Sequence, residues 1–149
     1  TIVVVFFADS FLTPFTAFLT TLGVVIAAWG GVMLADIALR RKDYDEPSLF
    51  TPSGRYGSVN WGAVASLIVG SLVGWGLVVN ANASWLSWQG YLLGPLGGRE
   101  GDWAGANIGI LLAMVVGFVG YWVTSAGRVR TQEKLASRTY AQGVEEGER

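Results

Sequence analysis

The side chains that could carry chemistry are few, and most of them lie in uncharged, apolar stretches. Among the 149 residues there is no histidine and no cysteine, which excludes thiol catalysis, imidazole general bases and ordinary zinc sites. The hydroxyls of Thr13, Thr16, Thr20 and Ser66 have no lysine near them in sequence that could act as a base. Asp36 is the only carboxylate within an apolar stretch. This inventory argues against an enzyme, including an intramembrane one.

The threonines and Asp36 belong to one long stretch that predicts a transmembrane helix over residues 11–39. Residues 11–34 carry no charge, and as a helix they would measure roughly 36 Å, enough to cross a hydrocarbon core of about 30 Å. The basic triplet at residues 40–42 follows directly and is typical of the cytoplasmic end of a span.

On a helical wheel the two sides of this predicted span differ in size and polarity. Small residues and threonines fall in one sector, roughly 100° wide: Thr13, Thr16, Thr20, Gly23, Ala27, Gly30 and Gly31. Bulky residues, which suit lipid, fall opposite: Phe15, Phe18, Leu22, Val25, Ile26, Trp29 and Met33. The small side is expected to face other helices. Either it lines a cavity, or its threonines bond their own i−4 carbonyls and the stripe serves packing alone.

Composition indicates a membrane protein whose main partner is the lipid bilayer. The chain is 52% hydrophobic and 14% charged, with mean hydropathy +0.45, whereas soluble domains are about 25% charged. Its 21 glycines and seven tryptophans are typical of membrane helices and of their interfacial anchors. The net charge of −1 gives no electrostatic basis for binding nucleic acid.

Two further uncharged stretches predict transmembrane helices over residues 61–79 and 105–126, so the expected fold is an all-α membrane protein with three spans. Both stretches repeat small residues every four positions, which lets backbones approach closely. The repeats are Gly62, Ser66, Gly70 and Gly74 in the second span and Gly109, Ala113 and Gly117 in the third. Packing within the molecule is expected here, with dimerisation as the alternative.

The N-terminal residues predict that this chain is a fragment. Residues 1–7 are apolar but too short to span, they begin with Thr, and no basic segment precedes them. They are therefore expected to be the end of a preceding helix, separated from the first span by a turn at residues 8–10. Pro14 then falls in the first turn of that span, where its missing N–H is tolerated.

The segments between the spans are polar or aromatic. Residues 40–60 form a loop, and Asn60 or Ser58 is expected to cap the second span. Residues 80–104 form a linker with four large aromatic residues. The piece at 84–93 is expected to form a short helix in the membrane interface, anchored by its aromatic residues. Residues 127–149 form a charged tail, predicted to be a frayed helix or disordered.

Asp36 has two interpretations. It precedes Arg40 by four residues, and such a pair stabilises a helix. The alternative is a functional carboxylate near the membrane.

The distribution of basic residues predicts the orientation. Four of the ten Lys and Arg residues lie in the loop at 40–60, five in the tail and one, Arg99, in the linker. By the positive-inside rule the loop and the tail are cytoplasmic and the linker is outside. The expected location is the cell (inner) membrane.

Several spaced motifs resemble the nucleobase:cation symporter-1 family, and most closely its purine–cytosine permease branch. They cover about residues 11–80. The motifs are the run from Gly31 to Asp36, then Arg40-Arg41, Tyr44-Asp45, Leu49, Gly54-Arg55-Tyr56 and Asn60-Trp61-Gly62-Ala63. Two positions depart from the pattern, with Ile37 and Phe50 where many members have tyrosine.

The resemblance implies a leucine-transporter-like fold in which the three spans are the tenth, eleventh and twelfth helices. It implies cation-coupled transport of nucleobases such as cytosine or purines, driven by Na⁺ or H⁺, with the main substrate and ion sites on N-terminal helices missing from this chain. No cofactor is then expected on this segment. In relatives the tenth helix contributes an outer gate. By that analogy the candidate gate residues are Phe15, Thr16, Phe18, Leu19 and Thr20.

The competing hypothesis is a stand-alone three-helix membrane subunit or adaptor without transport activity of its own. In that case the small side of the first span would bind a partner chain.

Overall fold

Three α-helices build the part of the chain that the structure describes. This computed structural model describes residues 2–40, 59–80 and 83–147, with side chains for 11–40, 59–80 and 83–135. The helices are α1 (Ile2–Leu39), α2 (Trp61–Gly76) and α3 (Ile108–Gly147). Between α2 and α3 lie four single 3₁₀ turns at Ser84–Leu86, Gly94–Leu96, Gly98–Glu100 and Ala104–Ala106. The described residues contain no strand, and the predicted all-helical fold is confirmed for them.

Two of the helices are long and apolar enough to cross a membrane. They are Phe11–Leu39 of α1 and Ile108–Leu135 of α3. α2 has 16 residues, about 24 Å, which is shorter than a hydrocarbon core of about 30 Å. The crossing of α2 therefore stays a prediction.

The beginning of α1 differs from the prediction. The expected turn at residues 8–10 is absent, because α1 continues from Ile2 through Pro14 to Leu39. Residues 2–7 therefore belong to α1 instead of ending a separate helix. Apolar sequence on both sides favours unbroken helix, and a membrane helix tolerates an internal proline where other groups satisfy the freed backbone carbonyl.

The other boundaries differ at the helix ends. α2 stops at Gly76, three residues before the predicted end, with the Leu77 N–H bonded to the Gly74 carbonyl at 3.0 Å. α3 begins at Ile108 because Asn107 adopts a left-handed conformation with φ 50°. α3 then continues through the predicted tail to Gly147, where Gln, Glu, Lys, Ala and Arg favour helix. Of the predicted loop at 40–60, residues 41–58 lie outside the described residues.

The side of α1 that packs on the other helices is not the predicted small side. Its buried residues are Ala17, Val24, Ala28, Gly31 and Ala35, a stripe rotated by roughly a quarter turn from the predicted one. Val24 and Ala28 form the central core with Val78 and Ala113.

Three of the predicted small residues lie beside that stripe. A Cβ built on Gly30 would meet no atom within 4 Å, and one on Gly23 would meet only Ile110 Cδ1, at 3.9 Å. Ala27 packs against the edge of the core. Gly31 is the one residue that belongs both to the predicted small side and to the buried stripe.

The small residues of α2 and α3 lie against each other. A Cβ on Gly74 would be 2.8 Å from Ala113 Cβ, and one on Gly70 would be 2.9 Å from the Ala113 carbonyl oxygen. Gly109 faces the Gly74 carbonyl, Gly117 faces the Ala28 carbonyl of α1, and the buried Ser66 faces Gly120. Gly62 faces Ser125 and Thr124. The three backbones therefore approach closely wherever these residues lack bulk.

Two local predictions are confirmed. Asn60 caps α2, since its Oδ1 accepts the N–H of Gly62 at 3.1 Å and that of Ala63 at 3.4 Å. Asp36 and Arg40 form an ion pair, with 2.8 Å between Oδ2 and Nε.

Candidate functional site

Residues 11–16 of α1 have exposed side chains. Among residues 11–39, the part of α1 whose side chains are described, Ala17 is the first buried residue. The rings of Phe11 and Phe15 stack on each other, with centroids 5.3 Å apart. We call this region, residues 11–17, the Phe11 end of α1, and the opposite one, residues 35–40, the Arg40 end.

An open cleft of about 240 Å³ lies at the Phe11 end. It is lined by Leu12, Thr13, Thr16 and Ala17 of α1 and by Asn80, four residues after α2. Three of these five side chains are polar. The cleft therefore offers hydroxyl and amide groups to a ring-sized polar molecule.

The threonines of α1 donate their hydroxyls to the preceding turn. Thr16 Oγ1 bonds the Leu12 carbonyl at 2.8 Å, and Thr20 Oγ1 bonds the Thr16 carbonyl at 3.0 Å. These bonds use the single hydroxyl proton, while the oxygen lone pairs can still accept. The hydroxyl of Thr16 can thus both satisfy its helix and accept a bond from a molecule in the cleft.

A buried amide fixes the linker to α1 next to the cleft. Gln89 is 1% exposed; its Nε2 donates to Thr21 Oγ1 at 3.1 Å, and its Oε1 accepts from Asn80 Nδ2 at 2.6 Å. α2 also bonds α1 at this point, because Trp75 Nε1 donates to the Thr21 carbonyl at 3.0 Å. The cleft wall at Asn80 is therefore positioned through Gln89.

The linker carries a group of exposed aromatic side chains, as predicted for an interfacial segment. Trp85, Trp88, Tyr91 and Trp103 are each about half exposed. Trp88 packs edge-on against Trp75 with ring centroids 5.5 Å apart. Where a short helix was expected at 84–93, only Ser84–Leu86 forms a 3₁₀ turn.

Two polar side chains hold this linker in shape. Arg99 donates to the backbone carbonyls of Ser87 and Gln89. The Tyr91 hydroxyl donates to the Leu72 carbonyl, and burial raises the pKa of that phenol. The phenol therefore remains a hydrogen-bond donor well above neutral pH.

The structure separates the five candidate gate residues. Thr16 lines the cleft, whereas Phe15, Phe18 and Leu19 are exposed by 42–49% and are absent from its lining, and Thr20 is half-buried. Asn80 and Gln89 were missed by the sequence analysis. The available signal was the presence of three amide residues, Asn80, Asn82 and Gln89, within the first ten residues of the linker.

Metal ligation has no evident basis in this region. Across residues 11–40, 59–80 and 83–135, no three Asp or Glu side chains lie close enough together to hold a metal ion.

Comparison with known proteins gives one family match. Residues 1–94 match the sequence profile of a family described as permease for cytosine/purines, uracil, thiamine, allantoin. No curated protein and no solved structure matches the chain.

Proposed function

We propose, because the chain belongs to the permease family for cytosine/purines, uracil, thiamine and allantoin, that it is the C-terminal part of a cation-coupled transporter for nucleobases such as cytosine or purines. The family match covers α1, α2 and most of the linker. The two helices that are long and apolar enough to cross a bilayer agree with membership in a permease family. Na⁺ or H⁺ would drive transport, bound by parts of the transporter outside this chain.

In this proposal α1, α2 and α3 are the tenth, eleventh and twelfth helices of a leucine-transporter-like fold. α2 would complete its crossing with the non-helical residues 77–80, which follow its last turn. The side of α1 with Gly23 and Gly30 would pack on the N-terminal helices of the same transporter. The open space at Gly30 supports this assignment, since lipid gains little from a glycine.

The observation that best supports a role in transport is the polar cleft at the Phe11 end. Thr16 combines an exposed position, a place in the cleft wall and a hydroxyl oxygen able to accept a hydrogen bond. Nucleobases present ring and exocyclic N–H donors that suit such an oxygen. We assign Thr16 to the gate. Phe15, Phe18 and Leu19 would supply apolar surface around it, and Thr20 lies one turn further along α1.

Uptake by the full-length transporter with Thr16→Val tests this assignment. Valine keeps the shape and removes the hydroxyl, so loss of one neutral hydrogen bond should raise KM about fivefold, while the helix keeps its stability. The measurement is radiolabelled cytosine, uracil and purine uptake in cells that lack their own carriers.

Thr131→Val is the matched control for Thr16→Val. Its hydroxyl likewise bonds the i−4 carbonyl, here of Gly127 at 3.0 Å, and it is exposed on α3. Uptake unchanged in both variants would remove Thr16 from the gate. Failure of the parent to take up any family substrate would instead support the stand-alone subunit.

Orientation gives a second prediction, because the linker should lie outside and the loop at 40–60 and the tail in the cytoplasm. Cysteines at Ser87 and Lys134, both exposed, would report this in a full-length protein whose own cysteines have been replaced. A membrane-impermeant maleimide should label Ser87→Cys in intact cells, and Lys134→Cys only after permeabilisation. The reverse labelling pattern would invert the proposed topology.

A further inference from the structure

A continuous chain of polar side chains joins the three helices at the Arg40 end. Asn60 Nδ2 donates to the Tyr121 hydroxyl at 3.3 Å, and that hydroxyl donates to Asp36 Oδ1. Asp36 Oδ2 accepts from Arg40 Nε at 2.8 Å, and the Arg40 guanidinium reaches Gln132 Oε1 at 3.4 Å. We call these five residues the Arg40-end network. It contacts α3 twice, through Tyr121 and through Gln132.

The network is largely removed from solvent. Tyr121 is 3% and Gln132 8% exposed, and the side chains of Asp36 and Arg40 are each 13% exposed. Hydrogen bonds to charged groups are stronger than neutral ones, and burial raises the cost of leaving a partner unsatisfied. Separating α1 from α3 here would break the bond between Tyr121 and Asp36 and the one between Arg40 and Gln132.

Close backbone packing adjoins the network. Gly31, about one turn before Asp36, lies against the backbone of Met114 and Phe118. Gly62, next to the cap of α2, lies against the side chains of Thr124 and Ser125 on α3. If one helix slid along another, these atoms would collide. Packed surfaces of this kind therefore take discrete arrangements rather than a continuous range of positions.

We infer that the Arg40-end network is a clamp that holds α1 from Val24 to Arg40 on α2 and α3, so that these segments move as one body. Directional polar bonds specify one register of the helices, and the glycine contacts remove the space for another. The statement about movement rests on the proposed transport function, while the clamp itself does not.

Spin labels on exposed residues of the two helices test the inference. Ile37 of α1 is 56% exposed and Val123 of α3 is 75% exposed, so cysteines there can carry labels without entering the core. Their distance distribution would be measured by double electron–electron resonance in the full-length transporter, with its other cysteines replaced. We expect one narrow distribution that does not change when a transported nucleobase is added.

Tyr121→Phe removes only the hydroxyl that joins Asn60 to Asp36, and it should broaden this distribution at least twofold. Tyr91→Phe is the matched control, because that hydroxyl bonds the Leu72 carbonyl in α2 and takes no part in the contact between α1 and α3. It should leave the distribution unchanged. Gln132→Leu breaks the second contact with α3 and should also broaden it, which provides a result if Tyr121→Phe does not fold.

Two results would overturn the clamp: an unchanged width in the folded network variants, or a second distance in the parent protein upon addition of nucleobase. If the parent transports no solute, the proposed function fails, but the widths in Tyr121→Phe and Gln132→Leu still test the clamp.

Discussion

Replacing Gly31 with alanine is expected to lower the stability of the protein by about 3 kcal/mol, the upper part of the usual range for overpacking. The added Cβ would overlap the carbonyl oxygen of Met114 and lie 2.9 Å from the backbone nitrogen of Phe118. Both are backbone atoms of α3, so neither can rotate away as a side chain could. α1 would have to move off α3, which would disturb the packing of Ala28 and Ala35 on either side.

Gly127→Ala is the control, since it makes the same change at an exposed helical glycine of α3. A Cβ there meets no atom within 4 Å, and alanine favours helix over glycine. Heating the detergent-solubilised protein and following its monodisperse peak should show an apparent melting temperature lowered by roughly 10 °C for Gly31→Ala. Gly127→Ala should melt no lower than the parent. Equal melting of the two variants would contradict the backbone contact between α1 and α3.

The contact at Gly31 also indicates which part of the packing could be predicted from the sequence. In α2 and α3 the small residues recur every four positions, and the two ridges lie against each other through Gly70, Gly74, Gly109 and Ala113. In α1 the same criterion selected a side other than the one that packs on α2 and α3. Val24 is larger than Gly23 or Gly30, yet it fills the centre of the core, and only the shape of the facing helices decides this.

Residue type does not show which of two adjacent aromatic side chains is buried. An aromatic pair near a helix end is typical of the membrane interface, and Trp122 is indeed 41% exposed. Tyr121 beside it is 3% exposed and bonds Asp36 and Asn60. Asp36 could be paired with Arg40 from their spacing, but the partner on α3 is 85 residues away. Single-sequence patterns carry no information about such distant contacts.

The extension of α3 beyond residue 126 has a separate physical basis. Charge and scarce apolar residues favoured a frayed helix or a disordered tail, and the backbone is helical to Gly147. Val129 and Gln132 are buried, so the first turns of this extension pack on the Arg40 end. Helix already fixed in the span can also propagate without a new nucleation step.

Replacing Gln89 with leucine is expected to have the second large effect, a loss of about 2–3 kcal/mol. Leucine nearly keeps the volume but removes the bonds to Asn80 and Thr21, and it leaves the Asn80 amide without its acceptor. Thr21 is less affected, because its hydroxyl still donates to the Ala17 carbonyl at 2.9 Å. Thermal melting of the full-length protein measures this loss of stability. Ser87→Ala, at an exposed neighbouring residue, is the control and should change the free energy of unfolding by less than about 0.5 kcal/mol.

Gln89→Leu should also weaken uptake, because Gln89 positions one wall of the cleft. Asn80 reaches Gln89, Gln89 reaches Thr21, and Thr21 lies just over one turn after Thr16 on the other wall. With that connection lost, Asn80 is no longer fixed opposite Thr16, and we expect KM to rise by at least as much as in Thr16→Val. The double variant should then be less than additive, since both changes act on the same wall-to-wall geometry. Additive KM effects would mean that the linker and the cleft act independently.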